Sequence, residues 1–262
     1  MRAMSNDTPR PRRLPVWVLA GLALTVGTEA RAGDALIAVA TNFGNVMPLL
    51  ESAFEQETEH KLRFTTGSTG QMYAQIRQHG PFDVFLAADQ GRAQRLVDEG
   101  LAVAGSRFTY ARGRLVLWSK DSDRIGADGA ATLRESPPRV LALANPALAP
   151  YGVAGRQTLQ ALGLWSRLEP RIALGQNVGQ AYAMTATGAA DMGFVAGSAV
   201  IGLDRSAAGS HWRVPVELHE PIRQDAVLLT RAEDNAAARA FIDFLAGSTA
   251  RGIIADHGYD LE

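Results

Sequence analysis

Cysteine is absent from all 262 residues of the chain, which excludes a disulfide framework, a thiolate nucleophile and a metal site built on Cys ligands. Basic residues are not in excess either, since 26 Lys and Arg stand against 27 Asp and Glu. That balance excludes the strongly basic surface of a nucleic-acid-binding protein. Internal repeats and low-complexity linkers are also lacking. With 47% hydrophobic residues, the chain is expected to be a globular protein that relies on its core.

A hydrophobic run long enough to span a bilayer comfortably is missing too. Residues 14–26 are apolar but too few for a transmembrane helix. An arginine-rich stretch (10–13) precedes this run, and the small-x-small sequence ARA (30–32) follows it. The pattern predicts a signal peptide over residues 1–32, cleaved near Ala32 for export to the periplasm. A membrane anchor is the alternative, and the paired arginines hint at the twin-arginine route.

Cleavage of the predicted signal peptide changes the net charge of the protein. The mature chain has 21 basic and 25 acidic residues, a net charge of −4. A net-negative protein that binds an anion has to do so through local dipoles, because its overall field is repulsive.

Short β-like runs alternate with helix-like segments along the mature chain, which predicts two α/β lobes with largely parallel sheets covered on both faces. Open sheets of this kind bind ligands at the carboxyl ends of their strands. The first lobe is predicted to comprise residues 33–111 and 224–262 and the second residues 112–223, with crossing segments near 111–114 and 222–226. The predicted strands are 36–40, 61–66, 84–87, 115–118, 140–144, 171–174 and 193–196, and predicted helices begin near residues 46, 72, 89, 154, 179 and 235.

Four predicted strand ends are followed by short, glycine-containing segments that are rich in neutral hydrogen-bond donors. Each leads into a helix N-terminus, where exposed N–H groups and the helix dipole favour an anion by about 0.3–1 kcal/mol. None of the four contains Asp or Glu, and a protonated oxyanion such as hydrogen phosphate needs an acceptor. A fully deprotonated tetrahedral dianion fits better, and sulfate satisfies that test too. The segments, called junctions one to four below, are 41–45, 65–70, 145–152 and 175–179.

Each junction taken alone also has an ordinary structural explanation. Thr41 and Asn42 are typical capping residues, and Tyr151 after a proline is typical of simple packing. Val178 has only its backbone N–H to offer. The two glycines around the hydroxyl pair 68–69 are more typical of close ligand approach than of a plain turn. The common character of all four junctions is what indicates a shared binding site.

Signatures of catalysis and of resident metals are weak. Ser68 lacks a Gly-x-Ser-x-Gly elbow and a recognisable histidine partner, so a hydrolase that uses Ser68 is the less favoured alternative. The five histidines lack metal-ligand spacing, and a ferric-ion site would have only Tyr151 and Tyr182 as candidate tyrosines. The chain is therefore predicted to be a binding module without a cofactor, and not an enzyme.

Seven segments of the mature chain carry recognisable sequence patterns. They are AVATNF (38–43), GSTGQMYAQI (67–76), FDVFLAAD (82–89), ANP with APYG (144–152), GQNVGQAY (175–182), GFVA (193–196) and FIDFL with HGY (241–259). In this order they resemble the periplasmic molybdate-binding proteins of ABC-type molybdate importers. The resemblance covers essentially all of the mature chain.

This resemblance implies a type II-like periplasmic binding protein, in which two lobes close on a desolvated tetrahedral oxyanion held in the cleft between them. It implies capture of molybdate, and of tungstate, with molybdenum held only as the oxyanion. The implied partners are the permease and the ATPase of an ABC importer, with membrane contact only through the permease, and the implied state is a monomer. Another tetrahedral oxyanion, such as sulfate, is the alternative cargo.

The resemblance also assigns the contacts with the oxyanion. Some relatives place a tyrosine where this chain has Ala196, and the chain instead resembles the subgroup that begins with a Thr-Asn pair and uses the tyrosine of a Pro-Tyr-Gly corner. The hydroxyl contact of junction two falls on one of two neighbouring residues. The implied ligand-binding residues are Thr41, Asn42, Ser68 or Thr69, Tyr151 and, through its N–H, Val178.

Overall fold

The computed structural model describes residues 33–200 and 209–262. The predicted signal peptide, residues 1–32, lies outside the described residues, together with its predicted cleavage site. Within the described ranges, no helix combines the length and the apolar character needed to cross a membrane.

Ten β-strands form within these residues. Most are short and apolar, as expected for strands that are buried on both faces. The strands are β1 (Asp34–Ala40), β2 (Lys61–Gly67), β3 (Val84–Leu86), β4 (Phe108–Gly113), β5 (Leu115–Ser119), β6 (Leu141–Ala144), β7 (Ile172–Gly175), β8 (Met192–Ala196), β9 (Ser210–Arg213) and β10 (Ile222–Leu228).

Nine α-helices lie between and after these strands in the described part of the chain. Several begin at a side-chain cap, and the predicted cap Asp89 is confirmed, because its Oδ1 accepts from Arg92 N at 2.7 Å. The helices are α1 (Met47–Glu57), α2 (Thr69–Arg77), α3 (Gln90–Asp98), α4 (Gly129–Glu135), α5 (Pro150–Ala161), α6 (Trp165–Leu168), α7 (Val178–Thr187), α8 (Ala236–Ala246) and α9 (Ser248–Asp256).

The first sheet has the strand order β2-β1-β3-β10-β4. β1 pairs in parallel with β2 and β3, and β10 pairs antiparallel with β3 and β4, so β10 runs against the other four strands. Helices α1, α8 and α9 bury Phe54, Phe241 and Ile254 against one face. Helices α2 and α3 bury Ile76 and Leu96 against the other. This sheet and its five helices are called the first lobe.

The second sheet has the strand order β7-β6-β8-β5-β9. β6 pairs in parallel with β7 and β8, and β5 pairs antiparallel with β8 and β9, so here β5 runs against the others. Leu159 of α5 packs with Phe194 on one face, and Ala181 of α7 packs with Ala142 on the other. This sheet with α4 to α7 is the second lobe. The predicted fold class, two α/β lobes with mixed and mostly parallel sheets, is confirmed.

The chain crosses between the lobes twice. One crossing is at Arg114, between β4 and β5, and the other is the segment 214–221 between β9 and β10. The predicted lobe boundaries, 111/112 and 223/224, fall inside β4 and β10, which pair with each other up to Gly113 and Ile222. The division of the chain into domains at those boundaries stays a prediction.

Two element boundaries differ from those predicted. Helix α5 begins at Pro150 and not near Ala154, because proline is compatible with the first helical position, where its missing N–H costs no helix bond. Helix α2 begins at Thr69 and not at Met72, because Ser68 caps it. Strand β10 was expected only as a crossing segment, yet it lies inside the first sheet between β3 and β4.

Candidate functional site

The four junctions lie together where the two lobes face each other. Junctions two and three are joined by a backbone hydrogen bond, in which Gly70 N donates to Leu148 O at 2.9 Å. Junctions one and four are also in contact, because a Cβ on Gly179 would lie 2.6 Å from the methyl carbon of Thr41. Glycine at 179 permits this close approach. Each contact links the first lobe to the second, so all four junctions border the cleft between the lobes.

Junction one forms a 3₁₀ turn, Thr41–Phe43, directly after β1. The Thr41 hydroxyl is buried and has no hydrogen-bond partner among the described residues. Asn42 is buried, and its Nδ2 donates to Gln224 Oε1 at 2.7 Å and to the Tyr259 hydroxyl at 3.2 Å. Both amide hydrogens of Asn42 are thus engaged inside the protein. Its contact with an oxyanion stays a prediction.

Junction two is shorter than predicted, because β2 continues through Gly67. Ser68 forms a capping box on α2: its Oγ accepts from Gln71 N at 3.2 Å, and Gln71 Oε1 accepts from Ser68 N at 3.1 Å. The Thr69 hydroxyl accepts from Ala88 N at 3.2 Å and ties α2 to the end of β3. Both hydroxyls are buried. Each uses a lone pair in these bonds, and its own hydrogen remains to be donated.

Junction three places Tyr151 at the second residue of α5. The ring is only 2% exposed and packs in the core of the second lobe, as the packing explanation expects. Its hydroxyl, however, is buried without a hydrogen-bond partner in the described structure. The helix lies close to β6 here, because a side chain on Gly152 would overlap the carbonyl of Ala144.

Junction four supplies the N-terminus of α7. Asn177 caps this helix, since its Oδ1 accepts from Gln180 N at 3.0 Å. Val178, the first helical residue, is buried. Because the next residue, Gly179, touches Thr41, the positive end of the α7 dipole faces junction one.

Unsatisfied polar atoms concentrate at this meeting point. Over residues 33–200 and 209–262, three buried side-chain atoms lack a partner: Thr41 Oγ1, Tyr151 Oη and Gln224 Nε2. An unpaired buried polar group costs about 1–3 kcal/mol, so such atoms are rare in a finished core. All three are able to donate a hydrogen. The arrangement therefore suits a ligand that offers acceptors and no donors.

Burial keeps the tyrosines around the site protonated. It raises the pKa of Tyr151 and of Tyr110 well above the ordinary value. It also raises the pKa of Tyr259 to about 12, against the opposing effect of its hydrogen bonds with Ser198 and Asn42. Loss of hydration disfavours the phenolate. These hydroxyls are neutral donors near neutral pH.

Charge at the junctions is matched within the protein. The Arg92 guanidinium would lie 3.4 Å from a Cβ on Gly70. It is bonded to Asp89 at 2.5 Å and donates to Ala147 O at 2.9 Å. Across the described ranges, no three His, Asp or Glu side chains come together as a metal-binding group.

Ala196 was considered in the sequence prediction of the site, whereas Gln224 was not. Ala196, where some relatives have tyrosine, is buried at the end of β8 in the apolar core and brings no polar atom. Gln224 was missed, although a glutamine and an aspartate directly before the apolar run AVLL (226–229) are a signal of buried polar contacts. Gln224 is fully buried at the centre of the site.

Two α/β lobes that border a cleft lined by helix N-termini are the architecture expected of a solute-binding protein. Residues 35–260 match the family described as bacterial extracellular solute-binding protein. The chain belongs to this family, and within it to the group of molybdate-binding proteins.

Its relatives are similar over nearly their whole length. The chain is 44% identical to the molybdate-binding protein ModA of Azotobacter vinelandii, with 95% of this chain and 98% of the relative covered. It is 45% identical to ModA of Rhodobacter capsulatus, with 92% and 94% covered. The solved periplasmic molybdate-binding protein of Azotobacter vinelandii matches with a TM-score of 0.84 at 40% identity, covering 87% of this chain and 99% of that one. The resemblance stated from the sequence is confirmed.

Proposed function

We propose that the protein captures molybdate, and with it tungstate, outside the cytoplasm and delivers the oxyanion to an ABC importer. The observation that carries this proposal is the set of three buried, unpaired donor atoms, on Thr41, Tyr151 and Gln224, where the four junctions meet. The names of the relatives support molybdate as the cargo.

The chemistry of the donors favours a bare dianion. A hydrogen bond from a neutral donor to a charged acceptor contributes about 1.5–3 kcal/mol, so several of them hold a desolvated dianion at micromolar affinity or better. A protonated oxyanion brings an O–H that needs an acceptor, and the junctions contain no carboxylate. Hydrogen phosphate is therefore disfavoured. Sulfate has the same charge and shape as molybdate and differs in radius, so sulfate is the competing cargo.

Calorimetric titration of the mature chain with molybdate, tungstate, sulfate and phosphate tests the proposal. We expect molybdate and tungstate to bind at micromolar affinity or better. Phosphate is expected to bind roughly 10–100-fold more weakly, since its O–H would stay unpaired. Equal affinity for sulfate and molybdate would remove the claim of specificity. No binding of any of the four would remove the proposed function.

The environment of Ser68 favours binding over turnover. The Ser68 oxygen accepts the capping bond of α2, and its bonded partner is a backbone N–H and not a histidine that would activate it. Molybdenum would enter only as the oxyanion, held by hydrogen bonds, and no further cofactor is part of the proposal. A hydrolase would be supported instead if an ester or phosphate substrate were turned over and the activity vanished in Ser68→Ala.

Delivery to a transporter completes the proposal. The ligand-bound chain, a periplasmic monomer cut near Ala32, would dock on a membrane permease that an ATPase drives.

Mass spectrometry of the protein exported by a bacterial host checks the cleavage, with Gly33 expected as the first residue. Light scattering of the mature chain checks the monomer, and a dimer that persists on dilution would contradict it.

A further inference from the structure

Gln224 has a fixed orientation at the centre of the site. Its Oε1 accepts from Asn42 Nδ2 at 2.7 Å and from the Tyr110 hydroxyl at 3.2 Å. Asn42 Nδ2 has only hydrogens to offer, so the end of the Gln224 amide that faces it is the oxygen. The Nε2 atom therefore has to point the other way.

The Nε2 atom lies on the same side as the hydroxyl of Tyr151. Both groups crowd Gly113: a Cβ there would overlap the Tyr151 hydroxyl and would lie 2.8 Å from Gln224 Nε2. Gln224 belongs to the first lobe and Tyr151 to the second, so the two groups meet across the cleft. The missing side chain at Gly113 leaves the space in which they meet.

The two unpaired groups are complementary. A phenol has one hydrogen to donate and lone pairs that accept. Gln224 Nε2 is a donor without an acceptor, and Tyr151 is buried and neutral. If the amide donates to the phenol oxygen, the phenol hydrogen has to point elsewhere. A ligand held between the lobes would offer the acceptor for that hydrogen.

We propose that Gln224 is a positioning residue, which directs the Tyr151 hydroxyl hydrogen towards the bound oxyanion. This inference rests on the proposed function. It assigns Gln224 an indirect role, because its amide acts through Tyr151 once the lobes have come together. It also gives selectivity a physical basis: a phenol whose oxygen already accepts an N–H has less capacity to accept, so it disfavours the hydrogen of a protonated oxyanion.

A double-mutant cycle on the mature chain tests this role, with the oxyanion that the wild type binds most tightly in the four-anion titration. The variants are Gln224→Met, Tyr151→Phe and the pair. We expect Tyr151→Phe to weaken binding about tenfold, since the phenol bond to the anion is lost. We expect Gln224→Met to cost about tenfold in the wild-type background and less than half of that, on a logarithmic scale, in the Tyr151→Phe background.

A residue that merely supports the fold would give a different result. Its loss would weaken binding by the same factor in both backgrounds, and that outcome would overturn the inference, as would unchanged affinity in Gln224→Met. Tyr151→Phe keeps the ring and its packing, so it gives a result even if Gln224→Met does not fold. Unchanged affinity in Tyr151→Phe also overturns the inference, whereas failure of the proposed function shows earlier, as a wild type that binds none of the four anions.

A matched control separates the site from the general effect of replacing a glutamine. Gln157 lies on α5, and its Oε1 accepts from Glu220 N at 3.1 Å. It is neither at a junction nor among the unpaired atoms. Gln157→Met is expected to bind the oxyanion like the wild type. Circular dichroism of each variant verifies that it is folded.

Discussion

The side chains that are predicted to contact the ligand at this site carry no charge. The side chains predicted to face the oxyanion carry buried, neutral hydroxyls: those of Thr41, of Ser68 or Thr69, and of Tyr151. A fixed arginine or lysine would attract any anion, whereas neutral dipoles stabilise a dianion only when several point to one place. Burial strengthens each of these interactions, because a hydrogen bond to an ion contributes more free energy where water does not compete. Selectivity then depends on where each hydrogen points.

The protonated tyrosines make the stability of the protein sensitive to alkali. The pKa of Tyr259 is about 12 in the folded protein and 10.0 ordinarily. A group whose pKa is raised by folding contributes stability fully below its unfolded value, and this contribution is lost as the pH rises through the folded value. We expect the thermal midpoint to fall between about pH 10 and pH 12. Tyr259→Phe should flatten this dependence, measured by circular dichroism, and an equally steep fall in that variant would contradict the assignment.

At the scale of secondary structure, helix N-termini have two roles. Ser68 caps α2 and is a predicted hydroxyl contact, and Asn177 caps α7, whose first residue Val178 is a predicted N–H contact. The hydrogen bonds that begin a helix thus also fix the positions of the binding groups. Stability and affinity are expected to separate where the cap is replaced by a residue that caps acceptably and cannot donate.

The variant Ser68→Gly is expected to lower affinity for the oxyanion while leaving stability nearly unchanged. Glycine at an N-cap costs only a few tenths of a kcal/mol relative to serine, so the thermal midpoint should change little. The hydroxyl bond to the oxyanion is lost, and affinity should fall roughly tenfold or more by calorimetry. Asn235→Gly is the control, since Asn235 caps α8 in the same way and is expected to bind normally. Unchanged affinity in Ser68→Gly would leave Thr69 as the hydroxyl donor of junction two.

Local sequence patterns predicted the strand ends and helix starts at the junctions well. They did not predict strand β10. Glycines and hydroxyls after apolar runs identify strand ends and helix starts from neighbouring residues alone, as at Asp89. Strand β10 was not predicted, because Gln224 and Asp225 interrupt its apolar pattern. Both are fully buried and bonded to distant partners: Asn42 donates to the amide oxygen of the first, and Thr109 and Arg107 donate to the carboxylate of the second. Pairing across so much of the chain leaves no periodic signal in the sequence.

At the scale of the whole molecule, hydrogen bonds among the described residues join the two lobes across the cleft. Gly70 N donates to Leu148 O at 2.9 Å, and Ser198 Oγ donates to Asn42 O at 3.0 Å. None of these groups needs the ligand to form its bond. In a protein that opens and closes, the observed affinity is the intrinsic affinity multiplied by the fraction that is closed. Contacts that favour closure therefore raise affinity from a distance.

Arg92 offers the clearest test of that reasoning. It lies on α3 of the first lobe and donates to Ala147 O of the second at 2.9 Å. Arg92→Ala removes this contact, which favours the closed state by about 1 kcal/mol, so affinity for the oxyanion should fall roughly fivefold by calorimetry. Arg95 is the control, since it lies on the same helix and reaches Glu99 at 3.7 Å and the ring of Tyr73, all within the first lobe. Arg95→Ala should bind like the wild type, because it changes charge without touching the cleft. Equal affinities for the two variants would mean that closure is set by the ligand and the junctions alone.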